Sequence, residues 1–262
     1  MLFPIALGVL GAMVVVMVAA WAVGLAMKDG GWTDVFWTWG TGLTLSAAAL
    51  WPWTDPAPRQ WLVAGFMTVW MLRLGLYLTP RVATHPEDQR YAAFRAQWGK
   101  RYPLFMLFVT LPQAGATALI GLSVLLASMD RAPAFGPRDV LAIAVFLVAI
   151  VGEYVSDQQM KRFRDDPANK GQVMDRGLWA WSRHPNYFFQ WLGWMAYPAL
   201  AFHPRNPLSW LVFTAPVVMF VLLRFISGVP PLEAAMLKTR GDRFRSYQAR
   251  LSAFVPLPPK RA

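Results

Sequence analysis

The sequence predicts an all-α, polytopic membrane protein with seven transmembrane helices, its N-terminus outside and its C-terminus in the cytoplasm. Three observations carry this. Hydrophobic residues make up 56% of the 262 positions and charged residues only 15%, with a mean hydropathy of +0.35. Apolar runs of about 20 residues recur, each long enough to cross a hydrocarbon core of roughly 30 Å. The charges gather in the breaks between runs, and mostly in alternate breaks.

The first run, 3–27, has no basic segment before it and no convincing small-residue cleavage site after it, so it reads as a retained span rather than a signal peptide. KDGG at 28–31 ends it, and a second run covers 33–51. The Pro-rich WPWTDPAPR at 51–59 leads to a third, 60–79, followed by a polar stretch at 80–101. Runs at 102–128, 138–160, 185–202 and 208–228 complete the seven, and a basic tail starts at 229. The breaks at 28–31, 80–101 and 161–184, with the tail, hold 19 Lys and Arg. The opposite side holds four, Arg59, Arg131, Arg138 and Arg205, while Arg73 and Arg224 lie inside spans. The positive-inside rule therefore puts the tail in the cytoplasm. The same asymmetry accounts for most of the net charge of +11 without nucleic acid.

Within 80–101, Glu87, Asp88, Arg90 and Tyr91 open a short helix whose apolar face holds Ala92, Phe94 and Trp98. It reads either as a surface-lying interfacial helix or as a lid over a cofactor. In the tail, Pro230 and Pro231 start a helix with Leu232, Ala235, Met236, Phe244 and Tyr247 on one stripe, expected to lie along the inner leaflet.

Several chemistries are excluded. The chain has no cysteine, and His85, His184 and His203 stand too far apart for a metal-ligand spacing, so no metal site is expected. No nucleophile elbow, phosphate-binding P-loop or dinucleotide fingerprint occurs. What remains is GLWAWSRHPNYFFQWLGW at 177–194, where Arg183, His184, Asn186 and Tyr187 crowd around Pro185 as the chain enters a span. A donor-rich helix N-terminus favours anions, which suggests a phosphate-bearing cofactor. In the fifth span Glu153, Asp157 and Arg164 follow helical spacings and form one polar stripe. Ionisable groups inside spans face a cavity or each other. The stripe thus serves either a ligand or mutual ion pairs such as Glu153 with Arg224.

The 177–194 segment, a following span ending in LLRF, the tail LEAAMLKTRGDRFRSYQARLSAFVPLPP and the loop EDQRYAAFRAQWGK resemble the steroid 5-alpha-reductase C-terminal superfamily, most of all its bacterial branch of unknown function. The resemblance covers most of the chain. It implies a single domain in the bacterial inner membrane that binds NADPH from the cytoplasm and reduces an activated carbon–carbon double bond in a lipophilic enone, steroid-like or other. Residues 1–128 would form the substrate side and 138–262 the cofactor side. The resemblance places Asn186, Gln190 and Trp194 at cofactor-contacting positions, joined by Asp157, Arg164, Arg224, Arg73 and Glu153, the last where eukaryotic members have Asn. Arg183, Arg164 and Arg224 would balance phosphates, with His184 and Tyr187 beside them. The steroid enzymes polarise the substrate with a Glu and a Tyr; here no Glu precedes Glu87 and Trp70 fills the tyrosine's place. Asp34, Trp70 and Tyr77 are left as catalytic hydrogen-bond donors. RHPNY and Glu233 also resemble isoprenylcysteine carboxyl methyltransferases, which use S-adenosylmethionine. A non-catalytic lipid-binding protein is the third expectation.

Overall fold

The computed structural model describes residues 2–52, 56–130 and 135–260. In chain order the helices are α1 (Leu2–Ala26), α2 (Trp32–Ala49), α3 (Pro58–Thr84), α4 (Gln89–Trp98), α5 (Tyr102–Thr110), α6 (Pro112–Met129), α7 (Pro137–Asp165), α8 (Pro185–Trp194), α9 (Ala196–Ala201), α10 (Thr214–Val221), α11 (Val229–Arg240) and α12 (Asp242–Arg250). Among the described residues the sole β pairing is an isolated parallel bridge between Ser182 and Ser252. The chain is an all-helical polytopic membrane protein. Among the described residues, five helical stretches are long and apolar enough to cross a bilayer: Leu2–Ala26, Pro58–Thr84, Gln89–Met129, Pro137–Asp165 and Pro207–Arg240.

Two of the seven expected spans differ. The run 33–51 is helical as α2 but too polar to stand among the five. Its polar side chains point inward: Thr33, Thr38 and Thr41 are buried. Trp37 Nε1 donates to Thr117 Oγ1 at 3.0 Å, and Thr41 and Thr117 share a hydroxyl bond of 3.1 Å. Helix–helix hydrogen bonds of this kind replace apolar surface without leaving polar groups orphaned. The run 185–202 is split into α8 and α9 at Met195. Pro198 has no N–H to give to the carbonyl of Trp194, and its ring crowds that carbonyl.

The helices gather into two compact units. One is Met1–Val140 with Tyr197–Val218, the other Leu141–Ala196 with Met219–Ala262. In the first, α2 packs most extensively on α3 and α1, and α1 also packs on α6. Arg59, counted from sequence among the charges of the breaks between spans, is buried. It donates through Nε and Nη2 to both oxygens of Asp139 at 3.0 and 2.8 Å, and its Nη1 lies 3.2 Å from Asp130. His203 bridges Asp130 and Arg138 at 3.2 and 3.1 Å.

The short helix expected in 80–101 is α4, N-capped by the Asp88 side chain on the Arg90 N–H. It is fastened to its own unit. Tyr91 is buried with Tyr102 and Met106, and Trp21, Leu25, Phe94 and Trp98 pack against them. Glu87 accepts from the Gly30 N–H at 2.8 Å and from Arg95.

In the second unit the tail departs from expectation. Rather than one leaflet-lying helix it makes two, α11 and α12, broken at Gly241, whose φ of 53° belongs to the left-handed region. Phe244, Tyr247 and Leu251 form a buried cluster with Val173, Met236 and Leu237 packed on it. Phe244, Tyr247 and Met236 of the apolar stripe thus pack together beside Val173 of the protein's own loop. Helices α7 and α8 approach closely at Gly152, where an added Cβ would fall 2.4 Å from the Phe189 ring.

Candidate functional site

The 177–194 segment is built as a turn anchored by the tail, leading into α8. Trp179 Nε1 donates to the Ser156 carbonyl at 3.0 Å, holding the turn against α7. Tyr247 Oη donates to the Trp179 carbonyl at 2.7 Å, and Ser182 Oγ donates to the Phe254 carbonyl at 2.8 Å. The Arg183 N–H donates to the Ser252 carbonyl at 2.9 Å. Pro185 stands in the first turn of α8, where its missing N–H is not required.

Arg183 and His184 do not face outward for an anion as the sequence suggested. Arg183 donates from Nε to Glu233 Oε1 at 2.7 Å and from Nη2 to Oε2 at 3.3 Å, while Nη1 donates to the carbonyls of Gln248 and Leu251. All three of its nitrogens are engaged inside the protein, so Arg183 is a clamp on the tail. His184 Nε2 lies 3.1 Å from Glu233 Oε1 and its ring stacks on Tyr187, with centroids 5.5 Å apart. Burial holds the His184 imidazole below its ordinary pKa, an effect that the adjoining Glu233 only partly reverses. Gln248 Nε2 donates to Glu233 Oε2 at 2.7 Å, so one carboxylate gathers three side chains. The role of Glu233 was missed from sequence, because its partners lie 50 residues back and 15 ahead.

One turn further on, the geometry changes character. Asn186 Nδ2 donates to Asp157 Oδ1 at 3.1 Å, joining α8 to the polar stripe of α7. Asp157 and Glu153, one turn apart on α7, are both buried, at 6% and 5% exposure. Asn186 Oδ1 and Gln190 Oε1 are buried without a hydrogen-bond partner among the described residues. At spacing i, i+4 they share a face of α8, which Trp194, 2% exposed, continues. Arg224, half-buried in the one-turn π segment Leu222–Ile226, has no ion pair among the described residues; its guanidinium sits 5.1 Å from the Phe225 ring centroid. Its charge is felt at His184. Arg164, in the last turn of α7, is exposed. Glu153, Asp157, Asn186, Gln190 and Trp194 thus belong to one helical pair, and Arg164 stands at its exposed end.

The remaining expected residues lie in the other unit. The Arg73 guanidinium lies 5.9 Å from the Tyr77 ring centroid, one turn along α3. Trp70 is buried and meets Trp37 edge-on at 5.8 Å. Asp34 is given a different task from the proton donor expected of it. Its Oδ1 accepts from Tyr91 Oη and its Oδ2 from Arg90 Nη2, both at 2.9 Å. A carboxylate held by a guanidinium and a phenol anchors α4, with one hydrogen bond taken at each oxygen. Nearby, burial alone would push the Asp88 carboxyl up, but Arg90 and Arg81 outweigh it and hold Asp88 below the usual carboxylate range.

A family model described as "Protein of unknown function (DUF1295)" matches residues 20–251. The chain belongs to the DUF1295 family. The match takes in most of both units and the whole of the 177–194 segment with α11 and α12. The chain is also similar to Uncharacterized protein C594.04c of Schizosaccharomyces pombe (strain 972 / ATCC 24843), 26% identical over 225 residues. That alignment covers 76% of this chain and 64% of the fungal protein's length. No solved structure matches the chain.

Proposed function

We propose that this DUF1295 protein is an NADPH-dependent reductase of the carbon–carbon double bond of a lipophilic enone, in a bacterial inner membrane. In this reading it keeps seven crossings, N-terminus outside, with α2 and the α8–α9 pair making the two polar or broken ones. The single observation that carries the cofactor assignment is the pair of buried, partnerless oxygens, Asn186 Oδ1 and Gln190 Oε1. Leaving a buried acceptor unsatisfied costs roughly 1–3 kcal/mol. Two on one helix face are the complement of an amide N–H₂ such as the nicotinamide carboxamide carries. The residues present therefore fit the group.

NADPH, when bound, supplies the hydride. The chain's own residues do the rest. Asp157 fixes which way the Asn186 amide points, by accepting from Nδ2 and so aiming Oδ1 away from itself. Trp194 and Tyr187 give the nicotinamide an apolar, water-poor bed, and Arg224 and Arg164 supply positive charge for the phosphates. Glu233, Arg183 and His184 hold the turn that presents them. On the substrate side, Asp34, Trp70 and Tyr77 are the candidate hydrogen-bond donors to the enone oxygen, with the Arg73 charge beside Tyr77 and Asp34 also tied to Arg90 and Tyr91. The methyltransferase reading loses ground because Glu233 is already neutralised by Arg183 and shared with His184 and Gln248, leaving no free carboxylate for a sulfonium donor.

The test is energy transfer from the chain's 14 Trp to NADPH, whose absorbance overlaps their emission, on detergent-purified protein. The wild type should show saturable transfer, and Asn186→Leu and Gln190→Leu should each weaken NADPH binding about tenfold or more, as for one lost buried amide bond. Equal affinity in wild type and both variants refutes the assignment, and S-adenosyl compounds retained in native mass spectra would favour the methyltransferase.

A further inference from the structure

A cleft of about 310 Å³ lies at the charged end of α7, lined by Gln159, Arg162, Phe163, Asn169, Met174 and Arg176. It opens on a different face of that helix from the stripe discussed above. Gln159, Arg162 and Phe163 share one face through their spacings of three and four, whereas Gln159 lies about 200° around the helix from Asp157. We propose that this cleft is a phosphate-ester site, independent of the reductase reading, taking either the headgroup of an anionic lipid or a soluble phosphate.

Charge is the first reason. Arg162 and Arg176 are both exposed, and neither guanidinium has a hydrogen bond or ion pair among the described residues. The carboxylates closest in sequence are largely engaged elsewhere. Asp166 accepts from the Ala168 N–H at 2.9 Å and from Asn169, and Asp175 lies 3.6 Å from Arg250. Asp165 is exposed, and Lys161 and Lys170 offset it. Two guanidiniums flanking one opening give the planar, forked donors that suit phosphate oxygens.

Preorganisation is the second. The far wall of the cleft, 171–177, is pinned by the tail. Arg240 Nε donates to the Gln172 carbonyl at 3.1 Å, Arg243 Nη1 to the Gly171 carbonyl at 3.3 Å, and Val173 packs on Phe244, Tyr247 and Leu251. Gln159 Oε1 accepts from the Leu178 N–H at 3.0 Å, which makes the other end of that amide a donor. Gly177 completes the corner: its φ is 59°, and a Cβ there would meet the Gln159 amide at 2.7 Å.

Depth is the third. Arg162 lies two residues past Met160, the end of the apolar run 138–160, or about 3 Å of helix. In a membrane that sets it at the rim of the hydrocarbon core, beside the headgroup layer. Phe163 and the buried Met174 offer an apolar floor beneath the two cations.

The experiment compares the full-length wild type with R162A/R176A and with K238A/K260A, which removes the same charge from exposed positions elsewhere in the tail. In one arm the protein is equilibrated with mixed micelles containing phosphatidylglycerol and bound lipid is counted by native mass spectrometry. In the other, pyrophosphate is titrated and the rise in unfolding temperature is recorded. R162A/R176A should lose about thirtyfold in affinity in at least one arm, from roughly one lost contact free energy per arginine near an anionic surface. The control should match the wild type, and R162K/R176K, which keeps the charge and tests the fold, should recover part of the loss. Loss with phosphatidylglycerol alone identifies a lipid headgroup, and loss with pyrophosphate alone a soluble phosphate. Equal behaviour of the wild type and R162A/R176A in both arms, or equal loss in the control, overturns the proposal.

Discussion

Replacing Glu233 tests whether the 177–194 turn is held from a distance. Its carboxylate accepts from Arg183 at 2.7 and 3.3 Å and from Gln248 at 2.7 Å, with His184 Nε2 at 3.1 Å. The side chains of Arg183, His184 and Glu233 are 12%, 9% and 13% exposed. An exposed ion pair would be worth about 0–1 kcal/mol, whereas removing one member of a fully buried pair costs about 3–5 kcal/mol. With 9–13% of each side chain open to solvent, Glu233→Gln should fall near the lower end, about 2–4 kcal/mol. Glutamine keeps the shape, but its N–H₂ must face a donor from Arg183, His184 or Gln248. Arg183→Met should cost a similar amount, and the double variant less than the two together, with a coupling of about 1.5–3 kcal/mol. The assay is equilibrium unfolding of the purified chain in mixed micelles, with Trp emission as the signal. Because α8 hangs from this turn, NADPH affinity should fall in the same variants, more in Glu233→Gln than in a stability-matched variant of the first unit. Additive costs, or a Glu233→Gln variant within about 0.5 kcal/mol of wild type, would show that the cluster is not coupled.

Four further expectations follow from single contacts. His184 is buried with its pKa depressed, so the folded state binds fewer protons than the unfolded one below the ordinary imidazole range. Stability should therefore fall as pH drops from about 6.5 downward, and His184→Gln should flatten that slope in a pH series of unfolding curves. Arg59→Met strands Asp139 and Asp130 in a largely dry site and should cost about 3–5 kcal/mol, while the Arg59→Met, Asp139→Leu pair should recover part of it. Gly152→Leu drives a side chain into Phe189 and should destabilise by about 1–3 kcal/mol, with NADPH affinity reduced as α7 and α8 part. Asp34→Asn loses the full charge that holds Arg90, so limited proteolysis within 85–101 should accelerate several-fold; loss of turnover without faster proteolysis would instead restore Asp34 as a proton donor.

The residues legible from sequence were those whose neighbours are local. The spacings of Glu153 and Asp157 on α7, and of Asn186, Gln190 and Trp194 on α8, fix which side chains share a face before any tertiary contact is known. Span positions followed from apolar length alone, except where hydrogen bonding inside the bundle let α2 be polar or where Pro198 cut the run after Trp194. What sequence could not show was the partner of a charge. Arg183 and Asp34 are the residue types that grip phosphate and deliver protons, and each looked free. Each is instead neutralised by a residue 50 to 57 positions away, Glu233 for one and Arg90 with Tyr91 for the other. The inward packing of Phe244 and Tyr247 in the tail was hidden for the same reason, since Val173, which packs against their cluster, lies far back in the chain.

This difference bears directly on how the site should be read. A charged side chain in a bundle draws a counter-charge to itself during folding, because an uncompensated ion costs several kcal/mol. The chain's own opposite charges are therefore the first claimants, and a conspicuous arginine is a poor guide to a ligand. An amide is under weaker compulsion, since its unsatisfied oxygen costs about 1–3 kcal/mol and its neighbours need not include an ion. The fold therefore gathers in Arg183, Asp34 and Arg59 and leaves the oxygens of Asn186 and Gln190 unpaired, with the Asn186 amide held in place by Asp157. Those two quiet residues, more than any of the charges, are where a bound group has something to gain.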